Sequence, residues 1–188
     1  MPKIVNHDER RFRISEQALS LFADQGYAAL SMRSLAASIG VTTGMLYHYF
    51  PSKESLLSDA FRLVRTKDIE FVQQLILNEG EEASRGKHQL RAVSLLSVFI
   101  SENSERLSGL LRIGLDVRRV DPDNSTLKET IRVYRDALRD IFGVDELSAQ
   151  GGLWVIFGCL TEVSLGSQVN PDALNHALSL LLIPTALA

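Results

Sequence analysis

Apolar positions along this chain recur at helical spacing almost throughout, and no stretch alternates in the period-two manner of a strand. A first helix is expected over Arg10 to Gln25, with Ile14, Ala18, Leu21 and Phe22 turned inward, ending at Gly26. A second begins near Ser31 and places Met32, Leu35, Ala36 and Ile39 on one face. Gly40 stops it, because glycine tolerates the left-handed backbone of a sharp turn, and Val41 can plug that turn into the core. Thr42 or Thr43 can cap a third helix, whose Leu46 and Phe50 are one turn apart and face inward. Pro51 breaks the chain and Ser52 caps a long fourth helix. Its Leu57, Ala60, Phe61, Val64, Phe71, Val72, Leu75 and Ile76 keep the period to about Asn78.

Residues 79 to 88, EGEEASRGKH, hold two glycines and five charges and read as a loop. Further helical patterns follow at about Gln89 to Asn103, Glu105 to Val120, Ser125 to Phe142, Asp145 to Gln168 and Pro171 to Leu182. The third of these carries a single apolar seam of Leu127, Ile131, Tyr134, Leu138 and Ile141. The fourth is apolar nearly all round and includes Gly151, Gly152, Gly158 and Gly166, so it must be covered on most sides. Either a central place in a monomer's bundle or close approach of a second copy would supply that cover; for the second, Gly151, Val155, Gly158, Cys159, Leu178 and Leu181 are the expected contacts of a two-fold interface.

The segment from Leu35 to Leu57 has the parts of a helix-turn-helix. Thr43, Gly44, Tyr47 and His48 are left facing out, where an ordinary solvated helix would carry Glu, Lys and Gln. These short or flat groups can donate to phosphate oxygens or touch base edges in a major groove. Lys53 lies in the first turn of a helix, where a cation is disfavoured by about 0.3 to 1 kcal/mol. A DNA phosphate would reverse that sign. The architecture expected is all-α. An N-terminal three-helix helix-turn-helix DNA-binding domain, residues 1–52, is joined by a long helix to a C-terminal helical bundle, residues 53–188, which a family resemblance carried by residues 11 to 57 implies is a ligand-binding and dimerisation bundle.

Charge agrees with this division. The net charge of the 188 residues is -3, but residues 1–67 hold nine Lys or Arg against six Asp or Glu, while residues 68–188 hold eleven against seventeen. The basic excess lies with the helix-turn-helix. Cys159 is the single cysteine and has apolar neighbours, which excludes an intramolecular disulfide and favours a packing thiol. Met1 to Arg13 is polar rather than signal-like, and the longest apolar stretch, Gly151 to Leu160, is too short for a membrane span of about 20 residues. A cytoplasmic protein with no membrane partner is expected. Scattered histidines at 7, 48, 88 and 176, with no nucleophile beside a base and no Gly-rich phosphate loop, point to neither metal, cofactor nor enzyme.

Residues 11 to 57 resemble the TetR family of one-component transcriptional regulators. The resemblance is carried by Ile14, Ala18, Leu21, Phe22, Gly26, Tyr27, Ser31, Met32, Leu35, Ala36, Gly40, Val41, Gly44, Leu46, Tyr47, Tyr49, Phe50, Lys53, Glu54 and Leu57. Carried over by position, it implies DNA contacts from Ser31, Met32 and Arg33, from Thr42, Thr43, Gly44, Tyr47 and His48, and from Lys53. Many relatives have Tyr-His-Phe where this chain has His48, Tyr49 and Phe50. The resemblance implies a homodimer, formed through the last two helices, on a near-palindromic double-stranded operator. It also implies a repressor, or less often an activator, released by a small-molecule effector. For that effector the C-terminal helices offer apolar walls at Leu96, Phe99, Leu111, Leu115, Trp154 and Phe157, with Glu102, Arg112, Asp116 and Glu162 as polar anchors. A non-specific architectural DNA binder, or an enzyme or interaction domain fused to a DNA reader, would fit the same N-terminal motif.

Overall fold

The computed structural model describes residues 7–78 and 85–183, and every regular element among them is an α-helix. They are α1 (His7–Gln25), α2 (Met32–Ile39), α3 (Thr43–Tyr49), α4 (Lys53–Leu77), α5 (Arg85–Glu102), α6 (Ser104–Val120), α7 (Thr126–Phe142), α8 (Glu146–Ser164) and α9 (Pro171–Leu182). The caps are those that the sequence offers. Ser31 and Ser52 each close a reciprocal capping box, with Ser34 and Ser55 respectively, and Thr42 accepts from Met45 N at 3.1 Å. Asn170 caps α9 ahead of Pro171 at the first helical position.

Two boundaries depart from expectation. Residues 85–88, read as loop, open α5, where the turn residue Gly86 is carried inside a helix held by packing further along; 79–84 lie outside the described residues. α8 stops at Ser164 rather than Gln168, because Gly166 takes a left-handed φ of 92° and the chain turns there.

Two apolar cores are threaded by α4. The first joins α1, α2 and α3 to Leu56, Leu57, Ala60, Phe61 and Val64 of α4, and takes in Ile113 and Val117 of α6. The second begins at Val72 and joins α4 to the helices from α5 to α9. Between them, one turn past Val64, Asp68 is buried and bonded to Arg106 and Tyr134, so a polar seam separates the cores. Among the described residues no helix is long and apolar enough to cross a membrane.

Candidate nucleic-acid interface and effector cavity

α2 and α3 meet at Gly40, whose φ of 77° lies in the left-handed region and whose amide bonds back to Ala37 O. Leu35, Leu46 and Phe50 are almost wholly buried and hold the pair against α1 and α4. Rotation of α3 about Leu46 leaves Gly44, Tyr47 and His48 exposed and Thr43 partly so. Arg33 is exposed on the first turn of α2. Neither the Arg33 nor the Tyr47 side chain hydrogen-bonds to a described residue, and a Cβ at Gly44 would meet nothing within 4 Å. The chain's own packing therefore does not require glycine at position 44.

Other expected contacts carry structural duties. The hydroxyls of Ser31 and Thr42 accept the cap hydrogen bonds of α2 and α3; the Ser31 proton is turned to Ser34 Oγ, whose own proton goes to Ser31 O, while Thr42 keeps one proton to donate outward. Met32 is corrected: it is buried at 7% exposure in the first core, because it begins the same apolar stripe as Leu35 and Ala36. Its side chain cannot reach DNA. The case made for Lys53 is corrected as well. Its ammonium donates to Tyr27 O at 3.0 Å and Leu30 O at 2.9 Å and lies 4.1 Å from the Tyr27 ring centroid. Backbone carbonyls and an aromatic face thus compensate the cation at the α4 N-terminus without any external phosphate. Tyr49 points to α1, where its hydroxyl lies 2.9 Å from His7 Nδ1, while His48 faces out.

Tyr27 is the centre of a polar knot absent from the sequence reading. Its hydroxyl donates to Glu54, and its amide donates to Asp116 Oδ2 of α6 at 2.8 Å. Burial, reinforced by Glu54, pushes the phenol well above its ordinary range. Glu54 is held below the usual carboxylate range by its own backbone amide at the helix N-terminus, with help from Ser52. Asp59, also buried, takes Arg11 Nε and Arg62 Nη2 at 2.6 Å each and ties α1 to α4.

An apolar cavity of about 110 Å³ lies inside the second core, walled by helices α4 to α8. Of the expected ligand contacts it brings together Phe99, Leu111 and Phe157, along with Leu96. The remaining six are corrected. Trp154 is 67% exposed and Leu115 57% exposed, because each falls on the outward side of its helix. Glu102 and Glu162 are exposed, and Asp116 is engaged with Tyr27 and Arg119. Arg112 borders a separate, charged cleft among α1, α4 and α6. The polar lining residues are instead Asp68, Thr130 and Tyr134. Tyr134 lies on the seam read from the sequence. Asp68 stands beside the apolar positions of α4, and only the fold reveals that it faces inward.

The last two helices expose several large apolar residues to the outside. Leu147, Trp154 and Leu165 of α8 and its C-cap are 83%, 67% and 82% exposed, and Leu180 of α9 is 72% exposed. Gly158, one turn beyond Trp154, is exposed as well. The interface contacts expected from sequence lie partly on the wrong side. Leu178 is fully buried in its own chain, and Gly151 packs on Leu181, whose δ-methyls would lie 3.4 Å from an added Cβ. Val155, Cys159 and Leu181 are partly buried against the second core. Burial raises the Cys159 thiol, as befits a packing role.

Residues 14–60 match the family model for bacterial regulatory proteins of the tetR family. This segment is a TetR-family DNA-binding domain. The chain is 30% identical over 79 residues to the HTH-type transcriptional regulator PksA of Bacillus subtilis, a match that covers 42% of this chain and 38% of PksA. Across 94% of this chain and 99% of the other, its fold superposes on SCO7518 of Streptomyces coelicolor A3(2) at a TM-score of 0.69 and 26% identity. The multidrug binding protein EbrR, solved with malachite green, shares the fold at a TM-score of 0.69 and 20% identity, over 94% of this chain and 99% of EbrR. These relatives are regulators and binding proteins rather than enzymes.

Proposed function

We propose that this chain is a DNA-binding transcriptional repressor that reads a near-palindromic operator as a homodimer and is released by a small molecule in the cavity of the second core. The observation that carries the reading is the outward set of Arg33, Thr43, Gly44, Tyr47 and His48, which the chain's own packing leaves free on a rigid α2–Gly40–α3 unit. Thr42 can add one hydroxyl donor, and the third ammonium proton of Lys53 remains open to a phosphate. Leu147, Trp154, Leu165 and Leu180 support a two-fold contact, since a row of large apolar groups this exposed is otherwise solvated at a cost.

Two recognition helices related by a dyad meet successive major-groove faces when their centres lie about 34 Å apart. A ligand that favours another separation weakens binding by no more than its differential affinity for the two states. Selection from random duplex DNA with the full chain is the test, paired with light scattering of the free protein. A palindromic winner bound by two chains is expected. Binding with no preference among duplexes would point to an architectural protein, and a monomer on a single half-site would remove the dyad.

A further inference from the structure

We infer that the cavity admits an uncharged, ring-sized, largely hydrocarbon molecule carrying one hydroxyl group; this rests on the reading of the chain as a ligand-released regulator. Size is the first constraint. At about 110 Å³ the space is no larger than an engineered apolar cavity of about 150 Å³ that holds benzene. Long or multi-ring molecules need the bundle to open.

Charge is the second. Among the lining residues there is no Lys, Arg or His, so a carboxylate ligand finds no cation and meets Asp68 instead. A cation fares no better. Asp68 Oδ1 takes Arg106 Nη2 at 2.8 Å, and Oδ2 takes Tyr134 Oη at 2.9 Å and Arg106 Nη1 at 3.3 Å. An incoming ammonium must compete with these donors for a buried carboxylate that Arg106 already neutralises.

The remaining polar capacity matches a hydroxyl. Tyr134 spends its proton on Asp68, so its oxygen is left as an acceptor. Thr130 Oγ1 accepts a long bond from Arg65 Nη1 at 3.4 Å and keeps a proton to donate. Both side chains lie on α7, four residues apart and therefore on one face. A ligand hydroxyl can give to Tyr134 and take from Thr130, while Leu96, Phe99, Leu138 and Phe157 enclose its hydrocarbon part.

The test uses one ring with four substituents: benzyl alcohol, ethylbenzene, benzylammonium and benzoate, titrated calorimetrically into the full-length protein. Both neutral compounds are expected to bind, the alcohol more tightly, and the two ions at least tenfold more weakly than the alcohol. Ala137→Leu, which fills the cavity from its wall, is expected to abolish binding of the neutral pair. Thr130→Val should bring the alcohol to the level of ethylbenzene while leaving ethylbenzene unchanged. Binding of either ion as tight as the alcohol, neutral binding untouched by Ala137→Leu, or no binding by any of the four would overturn the inference. DNA affinity is measured separately on the ligand-free chain. Its failure strikes the regulator reading alone, and alcohol binding without DNA release would keep the ligand class while removing the effector role.

Discussion

At the scale of the residue, the least expected result is how little of the basic charge near the helix-turn-helix is free for DNA. Lys53 spends two donors on the carbonyls of Tyr27 and Leu30, and Arg11 and Arg62 are committed to Asp59. The Arg33 side chain is left without a hydrogen-bond partner among the described residues. Lys53→Ala is accordingly expected to cost about 1 to 2 kcal/mol of stability, the worth of charge-assisted bonds at a half-buried position. Arg33→Ala is expected to be neutral for stability and to reduce the salt slope of DNA binding by about one unit per chain. Urea melts and salt-dependent binding isotherms separate the two, and the reverse pattern would exchange their roles. Tyrosine ionisation offers a second check. Burial, with Glu54 and Asp68 respectively, raises Tyr27 and Tyr134. Groups raised in the fold lend stability that is whole below the usual tyrosine value of about 10 and is lost as pH climbs beyond it. An alkaline absorbance titration should therefore show these two phenols ionising only as the chain unfolds, and Tyr134→Phe should remove one tyrosine from that late step.

At the scale of the element, α6 deserves to be read as a bridge. Its first half lines the cavity through Leu107, Leu110 and Leu111, and its second half enters the first core through Ile113 and Val117. Asp116 then reaches the α1–α2 turn, taking the Tyr27 amide just after Gly26. A ligand that shifts α6 is thereby placed to move the turn that precedes Ser31 and α2. Asp116→Ala is expected to lower stability by about 1 to 2 kcal/mol, because a partly buried amide loses its acceptor. It is also expected to shrink the effect of a cavity ligand on DNA affinity, measured as the ratio of Kd with and without ligand. An unchanged ratio would locate the coupling elsewhere, in α4. None of this was legible along the chain: Arg112 and Asp116 stand four apart and were expected as polar anchors for a ligand, whereas the fold turns Asp116 to Tyr27 and Arg119 and leaves Arg112 at a cleft edge. The helices themselves were legible, because caps and apolar period are local. The Gly86 turn signal misled because tertiary contacts further along α5 outweigh a local propensity worth about 1 kcal/mol.

At the scale of the whole molecule, the exposed stripe of Leu147, Trp154, Leu165 and Leu180 sets the expected assembly. Trp154→Arg places a charge at its middle without touching either core. It should shift the chain from dimer to monomer in light scattering and weaken operator binding at least tenfold, while the thermal midpoint of the monomer stays near that of a single folded chain. A dimer that survives this change would place the interface on another face. The sequence by itself determined the all-α class, the capped helix-turn-helix and the outward set on α3, since each depends on neighbours within a turn or two. The tertiary structure alone decided that Met32 is core, that Lys53 is a staple, that Asp68 and Tyr134 are the polar end of the cavity, and that Trp154 faces outward. The physical reason is rotational. On helices as uniformly apolar as α8, or as mixed as α4, periodicity marks the helix but leaves its phase to whatever packs against it.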